Sequence, residues 1–233
     1  MLSVGVYHLI HQLSMVTTDI YQQLKNKNPV LRQRAMSKIV EEPTSKTIPQ
    51  LIEILSDENP NYRNGATQTL TVIGLPAIPA LAEQLINNDS HQVRASCVQA
   101  FSEIARFFSR DYPGETFPQV AIDALHKALN DPSSAIQVAA TGALGTIGKP
   151  ALNILLSALD TEDIALRLSV IQAIVSLNVL KGSEDDPKTI EDYDRIANLL
   201  SKIAEDETID SYVRETAKTA LTRMAASKVK MRH

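Results

Sequence analysis

Few side chains in this 233-residue chain have the types and spacing that chemistry needs. The one cysteine, Cys97, has the chemistry of a thiolate nucleophile or a soft metal ligand. His8 and His11, three apart, share one helix face as two metal ligands would. Arg32, Arg63, Arg94, Arg167 and Arg214 recur along the chain as an anion-binding ladder would. Each has a plainer reading. No second cysteine exists, and no histidine stands at ligand spacing from Cys97. His8 and His11 have no third ligand nearby, His91 sits in a turn, and His126 lies on a separate helix. Carboxylates such as Asp185-Asp186 fall in a polar stretch and read as solvated. There is no Ser-His-Asp order and no phosphate-cradling glycine loop, so the sequence offers no catalytic or metal constellation.

The elements that carry these residues repeat. Tyr62-Arg63-Asn64-Gly65-Ala66 is followed by Leu70, Ile73 and Gly74. The same spacing returns at Val93-Arg94 with Cys97, Phe101 and Ile104, at Ile136-Gln137 with Ala140, Leu144 and Ile147, and at Leu166-Arg167 with Val170, Ile174 and Leu177. Weaker copies start at Leu31-Arg32 and Val213-Arg214. Apolar positions at 0, 4, 8 and 11 form one stripe of an α-helix. The small fourth position lets a neighbouring helix come close, and Cys97 occupies that slot, where it acts as a small hydrophobe. A second helix, often opened by proline (Pro49, Pro79, Pro118, Pro150), precedes each copy. Acidic or Asn-rich turns such as Asp57-Glu58-Asn59-Pro60 join the two and cap the next helix. The repeated arginines, a few residues past these turns, are expected to pair with the acidic turn residues.

Stacked helical hairpins of this kind make an all-α solenoid, here of about six hairpins in one domain over residues 1–233. The repeated Arg or Gln positions are separated by 31, 31, 43, 30 and 47 residues. Two insertions therefore interrupt a unit of about 31 residues, near 106–118 and near 181–194. Both are polar and turn-rich and are expected to lie outside the regular stack. Residues 1–16, with Val4, Leu9, Leu13 and Val16, are expected to form an N-terminal helix capping the first repeat.

Composition narrows the functional classes. With 23 basic and 27 acidic residues, the net charge is 23 − 27 = −4, which speaks against sequence-independent nucleic-acid binding. The unpaired cysteine fits a reducing compartment, and nothing reads as a signal peptide. Ile164–Leu180 is apolar but carries Arg167 and Gln172, so a buried helix explains it better than a membrane span. A cytoplasmic location is expected.

The repeat resembles the HEAT repeat, and its short form is similar to the phycobilisome-lyase HEAT-like type. The resemblance runs from about 17 to 225. Its most specific stretches are Tyr62-Arg63-Asn64-Gly65-Ala66, Val93-Arg94-Ala95-Ser96-Cys97, Asp111-Tyr112-Pro113 and Ala128-Leu129-Asn130-Asp131-Pro132. That family includes cyanobacterial lyase subunits that attach or isomerise bilins, chaperone-like helpers of phycobiliprotein subunits, and adaptors for phycobilisome breakdown. The resemblance implies binding to a phycobiliprotein subunit or a related lyase or chaperone protein, with a bilin as a transient contact. It supplies no catalytic motif to carry over.

Three readings follow. The first is a protein-binding solenoid that holds a phycobiliprotein subunit during bilin attachment or maturation. The second is a bilin lyase or isomerase subunit active with a partner chain, in which Arg106 or Arg110 pairs with a bilin propionate. The third is a general assembly or turnover scaffold, for example one delivering metal clusters through Cys97. The partner surface is expected at outward polar positions of the second helices, Asn64, Gln68, Thr71, Gln99, Glu103, Thr141, Gln172 and Ser176. A sharper candidate is the first insertion. All four Phe (Phe101, Phe107, Phe108, Phe117) lie within 17 residues, and Arg106, Phe107, Arg110 and Tyr112 have the residue types that concentrate interface energy. Phe108 and Phe117 are read as sealing the gap that the insertion opens.

Overall fold

Each turn before a repeat helix is built by the same two devices. A computed structural model describes residues 20–177 and 187–230 of the chain. At Asp57 the carboxylate accepts the Asn59 N–H at 2.8 Å, while the Arg63 guanidinium donates to the carbonyls of Asp57 and Glu58 at 2.7 and 2.8 Å. Six residues before the repeated position, the pattern recurs. Arg32 donates to the carbonyls of Asn26 and Lys27, Arg94 to those of Asn88 and Asp89, and Arg167 to those of Thr161 and Leu159. Gln137, standing where the others have Arg, donates its amide to the Asp131 carbonyl at 2.8 Å. The expected pairing is thus corrected in kind. The arginines bind the backbone of the acidic turns, and the carboxylates and side-chain amides are spent on the turn's own N–H groups.

These turns launch helices whose starts are capped as the sequence indicates. In α1 (Pro29–Glu41) and α3 (Pro60–Ile73), Asn28 and Asn59 accept first-turn N–H groups, and Pro occupies the first helical position. Asp163 caps α9 (Ile164–Ser176) and Asp210 caps α11 (Ser211–Lys230). The intervening helices are α2 (Thr47–Ile54), α4 (Ile78–Asn87), α5 (His91–Asp111), α6 (Gln119–Ala128), α7 (Ser134–Ile147), α8 (Leu152–Ser157) and α10 (Pro187–Glu205). No strand occurs among the described residues, and the architecture is an all-α helical solenoid. At Gly74 and Gly148, just past α3 and α7, φ is 73° and 89°, values that an L side chain rarely adopts. Glycine ends both helices for that reason.

The chain divides into two units, residues 1–100 and 101–233. In the first, α1 and α2 pack on α3, and α2 meets α4. In the second, α7, α9 and α11 stack in succession, α6 backs α7, and α10 backs α11. The repeat stripe is the core of both. Ala66, Leu70, Cys97, Phe101, Ala140, Leu144 and Val170 are all fully buried. Each large apolar member contributes roughly 1.5–3 kcal/mol through burial.

The insertions depart from expectation. Arg106–Asp111 is not an irregular stretch, because α5 runs on as 21 residues to Asp111. Nothing in Arg106–Asp111 breaks a helix before Pro113-Gly114, and buried Phe108 anchors the extra turns on buried Phe117. The second insertion lies partly outside the described residues, but from Pro187 onward it is helix, the start of α10. Buried Asp192 holds that helix through Lys149 (3.3 Å) and Arg195 (3.7 Å), and Arg195 also reaches Asn153 at 3.0 Å. The expected cap at 1–16, with His8 and His11, and the Asp185-Asp186 pair lie outside the described residues.

Candidate functional site

Helix α5 places Arg106, Phe107 and Arg110 on its last two turns, and Tyr112 follows directly after its end. Phe107 is 37% exposed, and the guanidinium carbons of Arg106 and Arg110 lie 5.4 and 5.1 Å from its ring centroid. The ring therefore holds two arginines by cation–π contact at once. Arg106 also pairs with Glu103, and Arg110 makes a two-pronged pair with Asp111 at 2.7 and 3.0 Å. The hydrogen bonds and charge of Arg110 hold the Asp111 carboxyl below its ordinary range. Tyr112 is 48% exposed, and its ring stacks on Phe108 at 5.2 Å. Phe108 in turn meets Phe117 edge-on at 5.4 Å. So the cluster has a buried root (Phe108, Phe117) and an exposed crown (Arg106, Phe107, Arg110, Tyr112).

The outward positions divide. Asn64, Gln68, Gln99, Gln172 and Ser176 are exposed, and Glu103 is half-buried beside Arg106. Thr71 and Thr141 are not outward. Thr141 is 0% exposed and Thr71 is buried, and their hydroxyls donate to the carbonyls of Gln137 and Thr67 at 2.8 and 3.0 Å. A threonine that bonds the preceding helical turn needs no water, so polarity alone misplaced both.

Cys97 is fully buried, and burial pushes its thiol pKa up to about 12. It stays a protonated packing group at neutral pH, unsuited to nucleophilic attack or metal transfer. No group of three or more His, Cys, Asp or Glu positioned to hold a metal occurs among the described residues.

Sequence reasoning missed a groove in the second unit. Arg106 and Ser109 of α5, the C-terminal turn of α7, Lys149 and Ser176 enclose about 460 Å³. Its floor is the contact of α7 with α9, where a Cβ on Gly145 would lie 3.1 Å from the Ala173 Cβ. The lining residues come from three repeats, and only the paired glycines Gly145 and Gly148 hint at it in the sequence.

Comparison with known proteins fixes the family. A profile described as HEAT repeats matches residues 17–102 and 115–175. Phycocyanin operon protein Z of Pseudanabaena tenuis (strain PCC 7409) is 33% identical over 211 residues, 90% of this chain and 96% of that protein. The bilin biosynthesis protein CpeZ of Synechococcus sp. (strain WH8020) is 28% identical over 60% of this chain and 75% of its own length. Among solved structures, the complex of CpcE and CpcF of phycocyanin lyase from Nostoc sp. PCC7120 covers 76% of this chain and 99% of the matched chain, with a TM-score of 0.52 at 21% identity. That likeness shows a shared fold. No single helix among the described residues is long and apolar enough to cross a membrane.

Proposed function

Because this chain belongs to the HEAT-repeat family, whose stacked helices present extended surfaces to partners, we propose that it binds a phycobiliprotein subunit during bilin attachment or phycobilisome maturation. The observation that carries this reading is the exposed crown at the end of α5. Repeat packing calls for Phe101 and Ile104, but nothing in it calls for a ring clasped by two arginines beside a half-exposed tyrosine. Such residues concentrate binding energy at interfaces. The relatives named for the phycocyanin operon and for bilin biosynthesis supply the client class. On this reading the protein works in the cytoplasm of a cyanobacterium, as a chaperone-like or lyase-associated factor.

The test is binding of purified apo-phycocyanin and apo-phycoerythrin subunits by calorimetry. The Arg110→Ala, Tyr112→Ala double variant is expected to weaken binding by about 2 kcal/mol or more, with the melting temperature little changed. Failure of every subunit to bind the wild-type chain would sink the proposal. The enzymatic alternative, a bilin lyase or isomerase subunit acting with a partner chain, gives a different signal. Free bilin mixed with protein and partner would then develop a red-shifted, sharpened absorption band.

A further inference from the structure

The groove between α5, α7 and α9 has an uneven charge. Two cations, Arg106 and Lys149, line it from different repeats, and among the described residues no carboxylate does. This occurs in a chain whose net charge is −4. The partners of the two cations, Glu103 and Asp192, stand outside the lining. Arg106 is 63% exposed, so its ion pair with Glu103 is weak and exchanges readily for an incoming anion. Lys149 is 42% exposed and shares buried Asp192 with Arg195, so it can turn toward an anion without leaving that carboxylate unpaired. Ser109 is exposed, and its hydroxyl has no hydrogen bond among the described residues.

The backbone adds acceptors. Pro150 has no N–H, so the Thr146 carbonyl cannot be closed by the residue four ahead. The Ala151 N–H goes to Gly148, so the Ile147 carbonyl is likewise not closed by the residue four ahead. The groove thus offers cations for a carboxylate and helix-end carbonyls for N–H groups. An extended peptide segment bearing an acidic side chain presents both. A tetrapyrrole would also bring carboxylates, but Ile147 and Pro150 are the main apolar residues of the lining, too little wall for a large planar apolar ligand.

We infer that this groove seats an extended, acidic segment of a partner protein, its carboxylate between Arg106 and Lys149 and its N–H groups on the α7 carbonyls. The inference rests on the partner-binding reading above and deepens it. Arg106 belongs both to the groove and to the Phe107 clasp, so an apolar residue next to the acidic one meets Phe107.

The experiment titrates the isotope-labelled full chain, followed by amide NMR, with acetyl-Ala-Glu-Ala-Leu-amide and with its Gln-for-Glu counterpart. The acidic peptide is expected to shift Ser109, Gly145, Gly148 and Lys149 saturably, and to bind roughly tenfold more tightly than the neutral one. Arg106→Gln with Lys149→Gln should abolish that difference. Lys149→Arg, which keeps the pair with Asp192, should retain it. Equal binding of the two peptides, or no shift at these residues, overturns the inference. So does biliverdin saturating the same resonances at micromolar concentration while the peptides do nothing, because the occupant is then a tetrapyrrole. A second arm separates this claim from the client reading. If no phycobiliprotein subunit binds but the peptide difference persists, the groove assignment stands and the client class is wrong. If a subunit binds the Arg106→Gln, Lys149→Gln chain with unchanged affinity and salt dependence, the client reading stands and the groove assignment falls.

Discussion

Arginine does two different jobs in the turn before α3 and at the end of α5. Arg63 is half-buried and spends its guanidinium on two backbone carbonyls of its own turn. Arg106 and Arg110 are exposed, lie over a ring, and pair only with neighbours on their own helix. The first kind recurs at the head of the repeats, at Arg32, Arg63, Arg94 and Arg167, because each turn leaves carbonyls that need a donor. The second occurs once, off the repeat. Periodicity therefore marks arginines that hold the fold, whereas an arginine off the period does either job: Arg106 and Arg110 face solvent, while Arg195 pairs with buried Asp192 and reaches Asn153. The sixth copy shows what the device requires. Arg214 has a buried Nε with no hydrogen-bond partner, and it acts on Asp206 through charge alone. Asp206 is instead bound by the Thr208 hydroxyl and N–H, which chiefly hold its carboxyl low.

The comparison is sharpest within α5 itself, where root and crown are adjacent. Phe108→Ala should cost about 3–5 kcal/mol and lower the denaturant midpoint. Phe107→Ala should leave the midpoint nearly unchanged yet weaken client binding. If both variants unfold the chain alike, root and crown are one packing unit and the division fails.

Removing the structural arginine comes next. Arg63→Ala strands the carbonyls of Asp57 and Glu58, which should cost about 2 kcal/mol of stability with client affinity retained. Loss of affinity without loss of stability would make the ladder a binding device after all.

The contrast also explains what the sequence disclosed. The repeat register, the stripe, the caps and the glycine stops all follow from local spacing, and the helices obey it. The extension of α5 was hidden because Arg106, Ser109, Arg110 and Asp111 read as a polar loop. Its anchor, Phe108 against Phe117, joins residues that follow no repeat spacing. Thr71 and Thr141 were misread because residue type stood in for exposure. The groove was invisible because its two cations lie 43 residues apart and meet only through stacking.

Cys97 extends the comparison to pH. Its thiol pKa is raised by burial to about 12, so the folded state keeps its proton where the unfolded chain has lost it. A group raised in the folded state stabilises below its unfolded pKa and loses that contribution as pH rises. Between about pH 9 and 10.5 the wild-type chain should therefore lose on the order of 1–2 kcal/mol more stability than Cys97→Ala. Parallel pH profiles for the two proteins would show that the thiol is not buried as described.

The smallest expected effect tests the ladder from the opposite side. Gln137 supplies a single donor to the Asp131 carbonyl, where Arg32, Arg63 and Arg94 each reach two carbonyls. Gln137→Arg should add the carbonyl of Pro132 and place a charged donor beside buried Asp131. A longer side chain must be ordered to do so, which removes part of the gain. The net should be about 0.5–1 kcal/mol in favour of the variant, or roughly 1–4 °C in melting temperature for a chain of this size. Client affinity should not move, since Gln137 is half-buried and its amide is already committed to the turn. A lower melting temperature would mean that the fourth turn is shaped for glutamine, and the arginine rule would then hold only for the copies that carry it.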